Sequence, residues 1–299
     1  MSDRLLVGTR KGLFRFERDA GGHWSISDTW FLGDPVSLVL AEPGGRRLHA
    51  ALALGHFGVK MQRSENGGAS WSETTVPAYP EKPADIEDKD PVRGTDVPWN
   101  TELIWSMALG GPGELWCGTI PGGLFRSVDG GDSWELMRAL WDEPRRSKWM
   151  GGGYDLAGIH SVLVDPRDPA HVTVAVSVGG VWTTHDAGAS WELIGAGLRN
   201  DYSPPGMDTD PVTQDPHRVV QCQAVPDRMW MQHHNGIFVS DDAGVNWREL
   251  ADPPLAKFGF AVAVHPQDPD TAWFVPATKD EQRIPVDARL VVTRTRDGG

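Results

Sequence analysis

Between residues 160 and 191, hydrophobic and polar positions alternate in short bursts separated by turn-forming clusters, the pattern of consecutive β-strands. Alternation over 161–164 predicts a strand A, and DPRDP at 165–169 a turn. VTVAVS at 172–177 predicts strand B, Gly179-Gly180 a second turn, VWTT at 181–184 strand C, and Trp191 the start of strand D. The same order returns over 104–134 and 219–247, begins again at Ala261 with AVAVHPQDPDTAWFV, and is present in looser form over 37–71. No segment carries a sustained helical period, so an all-β chain is expected.

The turn between strands C and D has a fixed spelling. It reads SVDGGDSW at 127–134, SENGGASW at 64–71, THDAGASW at 184–191 and SDDAGVNW at 240–247. A further copy begins at Thr295, and a degenerate one, ERDAGGHW, occupies 17–24. The Asp or Asn accepts backbone N–H bonds across the turn and the Gly supplies a positive φ. The leading Ser or Thr ties down the same loop, and the Trp opens the next strand with a large apolar surface. The turn is complete in itself and leaves no reactive group over, so it argues for architecture rather than chemistry.

Repeats of about 55 residues carrying four short antiparallel strands read as blades of a β-propeller. GTRKGLF at 8–14 matches CGTIPGGLF at 117–125, which places the start of the chain in a strand B, and the last residues fall inside a sixth turn. The expectation is one propeller domain over 1–299, with about six blades present of a ring that is seven-bladed when intact, and incomplete at the C-terminus.

These turns, with the LLVGTRKGLF opening and the VAVHPQDPDTAWFVP segment, resemble the BNR or Asp-box repeat proteins. That group includes sialidases, xyloglucan-active glycosidases, sortilin-type receptors and a photosystem II assembly factor. The resemblance covers nearly the whole chain and is closest to bacterial sialidase-like, glycosyl hydrolase-like proteins. It implies a central funnel that binds or hydrolyses a carbohydrate or similar polar small molecule; the alternative it offers is a non-catalytic scaffold for a protein partner. Sialidases also place an Arg-Ile-Pro motif ahead of the first Asp turn. Here Arg283-Ile284-Pro285 lies near the end of the chain and only Gly8-Thr9-Arg10 precedes the first turn, which argues against sialidase activity itself.

A formal net charge of −13 disfavours nucleic acid and anionic membrane surfaces as partners. The N-terminus lacks the features of a signal peptide, no stretch is long and apolar enough to span a bilayer, and Cys117 and Cys222 fall in repeats that are not neighbours. A cytoplasmic protein without disulfides is expected.

Blade geometry puts the BC turns and the D-to-A connections on the face opposite the Asp turns, and the long irregular stretches (77–101, 140–158, 199–216, 278–287) all fall there. A glycosidase needs two carboxyl groups, and Glu102 and Asp155, each just ahead of a strand A, are the catalytic candidates. Arg10, His56, Trp99, Tyr154, His160 and His233 are the candidate substrate contacts. His217 and one of His233 and His234 share that face, since successive strand residues point to opposite sides. No HxH or HExxH spacing is present, so neither a metal nor another cofactor is expected.

Overall fold

Each burst of alternation becomes a strand, and the strands pair with their sequence neighbours into six antiparallel sheets. The computed structural model describes residues 3–299. The first sheet is β1 (Arg4–Thr9), β2 (Gly12–Arg18) and β3 (Trp24–Trp30). The second is β4 (Val36–Ala41), β5 (Leu48–Ala53), β6 (Val59–Ser64) and β7 (Ser72–Thr74), and the third β8 (Leu103–Leu109), β9 (Leu115–Ile120), β10 (Leu124–Ser127) and β11 (Glu135–Leu136). The fourth holds β12 (Gly158–Asp165), β13 (Asp168–Ser177), β14 (Gly180–Thr184) and β15 (Glu192–Ile194). The fifth holds β16 (Pro216–Gln221), β17 (Met229–His233), β18 (Gly236–Ser240) and β19 (Arg248–Glu249). In the sixth, β20 (Gly259–Val264) pairs with the long β21 (Ala272–Lys279). The far half of β21 turns back on β22 (Gln282–Pro285), and its near half pairs with β23 (Thr293–Thr295). Part of the loop expected over 278–287 is therefore a hairpin. Among the described residues helix is confined to one turn, α1 (Arg138–Trp141), and four short 3-10 segments.

The chain divides into two compact units, one of residues 1–82 and 99–136, the other of 83–98 and 137–299. Each contains three sheets. In the first unit β4 packs beside β1 and β8; in the second β16 packs beside β12 and β20. In the first unit β1 pairs, among the described residues, on one side only, and a cleft of about 750 Å³ lined by Leu6, Val39 and Leu48 borders it.

The repeated turn works as its spelling implies. Oδ1 of Asp129, Asp186 and Asp242 accepts the backbone N–H four residues on, at 2.8–2.9 Å. The leading hydroxyl of Ser127, Thr184 or Ser240 accepts the N–H of Gly131, Gly188 or Gly244 at 2.8–3.0 Å. Asn66 replaces the Asp without loss of the bond: its Oδ1 accepts Ser70 N–H at 2.9 Å. Two successive residues adopt positive φ, and Ala187, at φ 58°, holds the place that glycine takes at Gly130.

The cores are made by the inward members of each alternation. Trp116, Trp182 and Trp230 are fully buried, each contributing on the order of 1.5–3 kcal/mol or more through burial. Between the fourth and fifth sheets, Ala175, Val181, Val219, Met229, Met231 and Phe238 form one cluster closed by Trp247. Trp141 and Trp149, on the long 140–158 connection, are buried too, so they fill the interior rather than face a solute. Both cysteines are free and buried.

Candidate functional site in the second unit

One irregularity recurs in every sheet from the second to the sixth. The first strand slips register near its start, between Val36 and Leu38, Ile104 and Ser106, Ile159 and Ser161, Pro216 and Arg218, and Gly259 and Val262. Such bulges bend a strand and re-aim the extra residue. In the second unit the residues so placed include His160, His217 and Phe260.

His217 joins two sides of a polar cluster. Its Nδ1 donates to the carbonyl of Gly259 at 2.6 Å, which fixes the tautomer and turns Nε2 towards Asp215, whose Oδ2 lies 3.5 Å away. On the other side of that oxygen, at 3.3 Å, is Nδ1 of His234, carried on the turn between β17 and β18. The three ligand-type atoms of Asp215, His217 and His234 all lie within 4.8 Å of one another. Tyr202 stands edge-on to His234, with ring centroids 5.5 Å apart, and its hydroxyl donates to the Thr213 carbonyl. Phe258 and Phe260 wall the other side, and the Arg283 guanidinium lies over the Phe260 ring. Gly152, from the long connection ahead of β12, comes so close that a Cβ there would stand 3.3 Å from Asp215 Oδ2 and 2.8 Å from Ser177 Oγ.

Burial alone would raise the pKa of Asp215, but the two imidazoles outweigh it and hold the carboxyl below the usual carboxylate range. His234 is shifted the other way: its bond to Asp215 raises its pKa against the cost of burial. His233 lies underneath, where burial pushes it down to about 3, and its Nε2 accepts the backbone N–H of Asp215 at 3.2 Å. The arrangement is a buried anion between two imidazoles, supported by a neutral third.

Of the candidates read from sequence, Arg10, His56, Trp99 and Glu102 belong to the first unit and Tyr154, Asp155, His160 and His233 to the second. Arg10, His56 and Glu102 are exposed and Trp99 half-buried. Asp155 is almost fully exposed, its carboxylate 3.7 Å from Arg93, and the neighbouring Tyr154 is exposed as well. His160 and His233 are both buried. His160 Nδ1 contacts Ser161 Oγ at 2.9 Å, and burial pushes its pKa down to about 3. These two histidines therefore sit behind the surface as supports. Of His233 and His234, it is the partly exposed His234 whose Nδ1 reaches the Asp215 carboxylate.

Sequence reasoning does not single out Asp215. A signal is present: Asp215-Pro216-His217 puts a carboxylate and an imidazole two residues apart at a strand start, and His233-His234 closes the hairpin that comes next. That the two ends of the hairpin meet is visible only once β16 and β17 are in register.

No family model matches the chain. A stretch of 82 residues, 27% of this chain, is 37% identical to the oligoxyloglucan-reducing end-specific xyloglucanase of Emericella nidulans and spans 9% of that enzyme. Among solved structures, the GH74 xyloglucanase from Xanthomonas campestris aligns over the whole chain with a TM-score of 0.66 at 17% identity, the chain covering 43% of that enzyme. The GH74 enzyme of Niastella koreensis aligns with a TM-score of 0.65 at 16% identity, with the same coverage. The shared fold is the β-propeller. At this identity the likeness is one of architecture, and the chain spans less than half the length of these enzymes. Among the described residues no helix is long and apolar enough to cross a membrane.

Proposed function

We propose that this chain is a sialidase-like Asp-box propeller that binds a carbohydrate or similar polar small molecule and hydrolyses a glycosidic bond in it. The observation that carries the reading is the setting of Tyr202, an exposed aromatic ring held edge-on to His234 beside the buried Asp215 anion. An aromatic face next to convergent polar groups is the combination that grips a sugar, stacking on its C–H face while carboxylate and imidazole address its hydroxyls. The stretch resembling a xyloglucanase supports a polysaccharide-derived substrate.

Glu102 and Asp155 are the proposed catalytic carboxyl groups, both exposed and each to be tested singly. Arg10, His56, Trp99 and Tyr154 are proposed substrate contacts, and His160 and His233 proposed buried supports within the second unit. A reducing compartment, the cytoplasm, goes with the two free cysteines.

The test is a glycan array followed by hydrolysis assays on xyloglucan oligosaccharides and a sialoside. Binding of a neutral glycan, with turnover lost in Glu102→Gln or Asp155→Asn, is expected. Unchanged turnover in both variants would remove the catalytic assignment. A chain that neither retains nor cleaves any glycan would overturn the reading in favour of a scaffold for a protein partner.

A further inference from the structure

The contact between His217 and Asp215 is unbalanced as it stands. Because a carbonyl oxygen only accepts, the 2.6 Å bond to Gly259 requires the proton of a neutral His217 to be on Nδ1, so a lone pair on Nε2 faces Asp215 Oδ2 at 3.5 Å. Two acceptors that face each other in a buried place repel unless a cation lies between them. The second imidazole, His234, turns its Nδ1 to the same oxygen at 3.3 Å, so both rings converge on one point. Asp215 Oδ1 adds a further demand. It is buried with no hydrogen-bond partner among the described residues, a state that is costly for a charged group.

One divalent ion beside Asp215 Oδ2 answers the facing acceptors and compensates the buried carboxylate charge. Zinc bonded to nitrogen and oxygen at about 2.0–2.2 Å in a tetrahedron keeps its ligand atoms about 3.3 Å apart. The two distances to Asp215 Oδ2 are 3.3 and 3.5 Å, and the third pair lies within the 4.8 Å that bounds the set. The outer contacts are those of a metal ligand: His217 gives its other ring N–H to a backbone carbonyl, which orients the ring and makes Nε2 more basic. Gly152 keeps side-chain atoms away from Asp215 Oδ2 on the side of the long connection, where a Cβ would crowd both it and Ser177.

We infer that Asp215, His217 and His234 form a binding site for a divalent transition-metal ion of the zinc type. Two imidazoles and one carboxylate suit borderline ions and not magnesium or calcium, which take mainly oxygen ligands. With three protein ligands a tetrahedral ion keeps one position for water or a substrate oxygen, the composition of catalytic rather than closed structural zinc sites. The inference does not depend on the carbohydrate reading, because ion binding is measured without any sugar.

The experiment uses the full, tag-free chain, stripped with a chelator and titrated with Zn²⁺ by calorimetry, then with Co²⁺ by visible absorption. The variants are His234→Gln, His217→Gln and, as control, His23→Ala, whose side chain is 86% exposed and far along the chain from the three ligands. Thermal unfolding of each stripped variant checks that it folds. The expected result is one ion per wild-type chain, a Co²⁺ band that Zn²⁺ displaces, and affinity lowered about tenfold or more in each ligand variant, with His23→Ala unchanged. Absence of saturable one-to-one binding by the wild-type chain would overturn the inference, as would a folded His234→Gln protein that binds like wild type. Should His217→Gln fail to fold, His234→Gln decides alone, since its side chain is partly exposed and its loss leaves no large cavity.

Discussion

His217 stacks face to face on Phe260, with ring centroids 4.6 Å apart and planes 15° apart, although the two belong to different sheets. Both are bulge residues at the start of the first strand of their sheets. The stack braces the imidazole, while the Gly259 carbonyl fixes its rotation. A double-mutant cycle on His217→Ala and Phe260→Ala, read by denaturant unfolding, should give a coupling of about 0.5–1.5 kcal/mol. A coupling near zero would mean that the rings touch without holding each other.

The hydroxyl at the head of each turn contributes more than its size suggests. Thr184 is buried, and its Oγ1 accepts the N–H of Gly188 at 3.0 Å while donating to Asp186 at 2.7 Å. Thr184→Val keeps the shape but leaves that buried N–H without an acceptor, so unfolding in denaturant should show a loss of about 1–3 kcal/mol. Thr184→Ser, which restores the spelling of Ser127 and Ser240, should recover most of it.

Acid should act through the same turns. The Ser133 hydroxyl and N–H, with Ser127, hold Asp129 down to about 2, and Ser190 with Thr184 does the same for Asp186, against an ordinary value of 3.8. A carboxylate with a depressed folded pKa contributes stability that is whole above its unfolded value and is lost as pH falls through the folded one. Melting temperature should therefore be flat in this contribution above about pH 4 and fall between about pH 4 and 2. Asp186→Asn, the exchange already present in the turn at Asn66, keeps the turn without titrating and should flatten part of that fall.

The two thiols should be silent until the chain opens. Cys117 and Cys222 are both fully buried, and burial pushes the Cys117 thiol up, away from the reactive thiolate. Ellman's reagent should find no accessible thiol in the native chain and two after denaturation. Rapid modification of either under native conditions would contradict the packing of β9 or of the segment after β16.

Whatever is decided within a short window can be read from the chain alone. An Asp or Asn four residues ahead of a Ser or Asn, with Gly between, closes the same turn at each of its four full copies, because donors and acceptors all lie within four residues of one another. Alternation with a period of two then fixes which strand residues face inward, as Trp116, Trp182 and Trp230 show. The all-β, bladed fold comes from these two local rules.

What meets at the site could not be read that way. Asp215 and His234 are 19 residues apart by number, and the carbonyl that orients His217 comes from a strand 42 residues on. Their meeting depends on a one-residue slip in β16, and such a slip leaves no mark in a hydrophobic pattern, because it moves side chains without changing which residues are apolar. Burial of His160 and His233 was hidden for a related reason: a polar residue at a strand end reads as exposed until the bulge and the neighbouring sheet cover it. Turn chemistry is local and therefore written in the chain. The placement of three ligands around one point is set by register and by sheet-on-sheet packing, and those are properties of the folded whole.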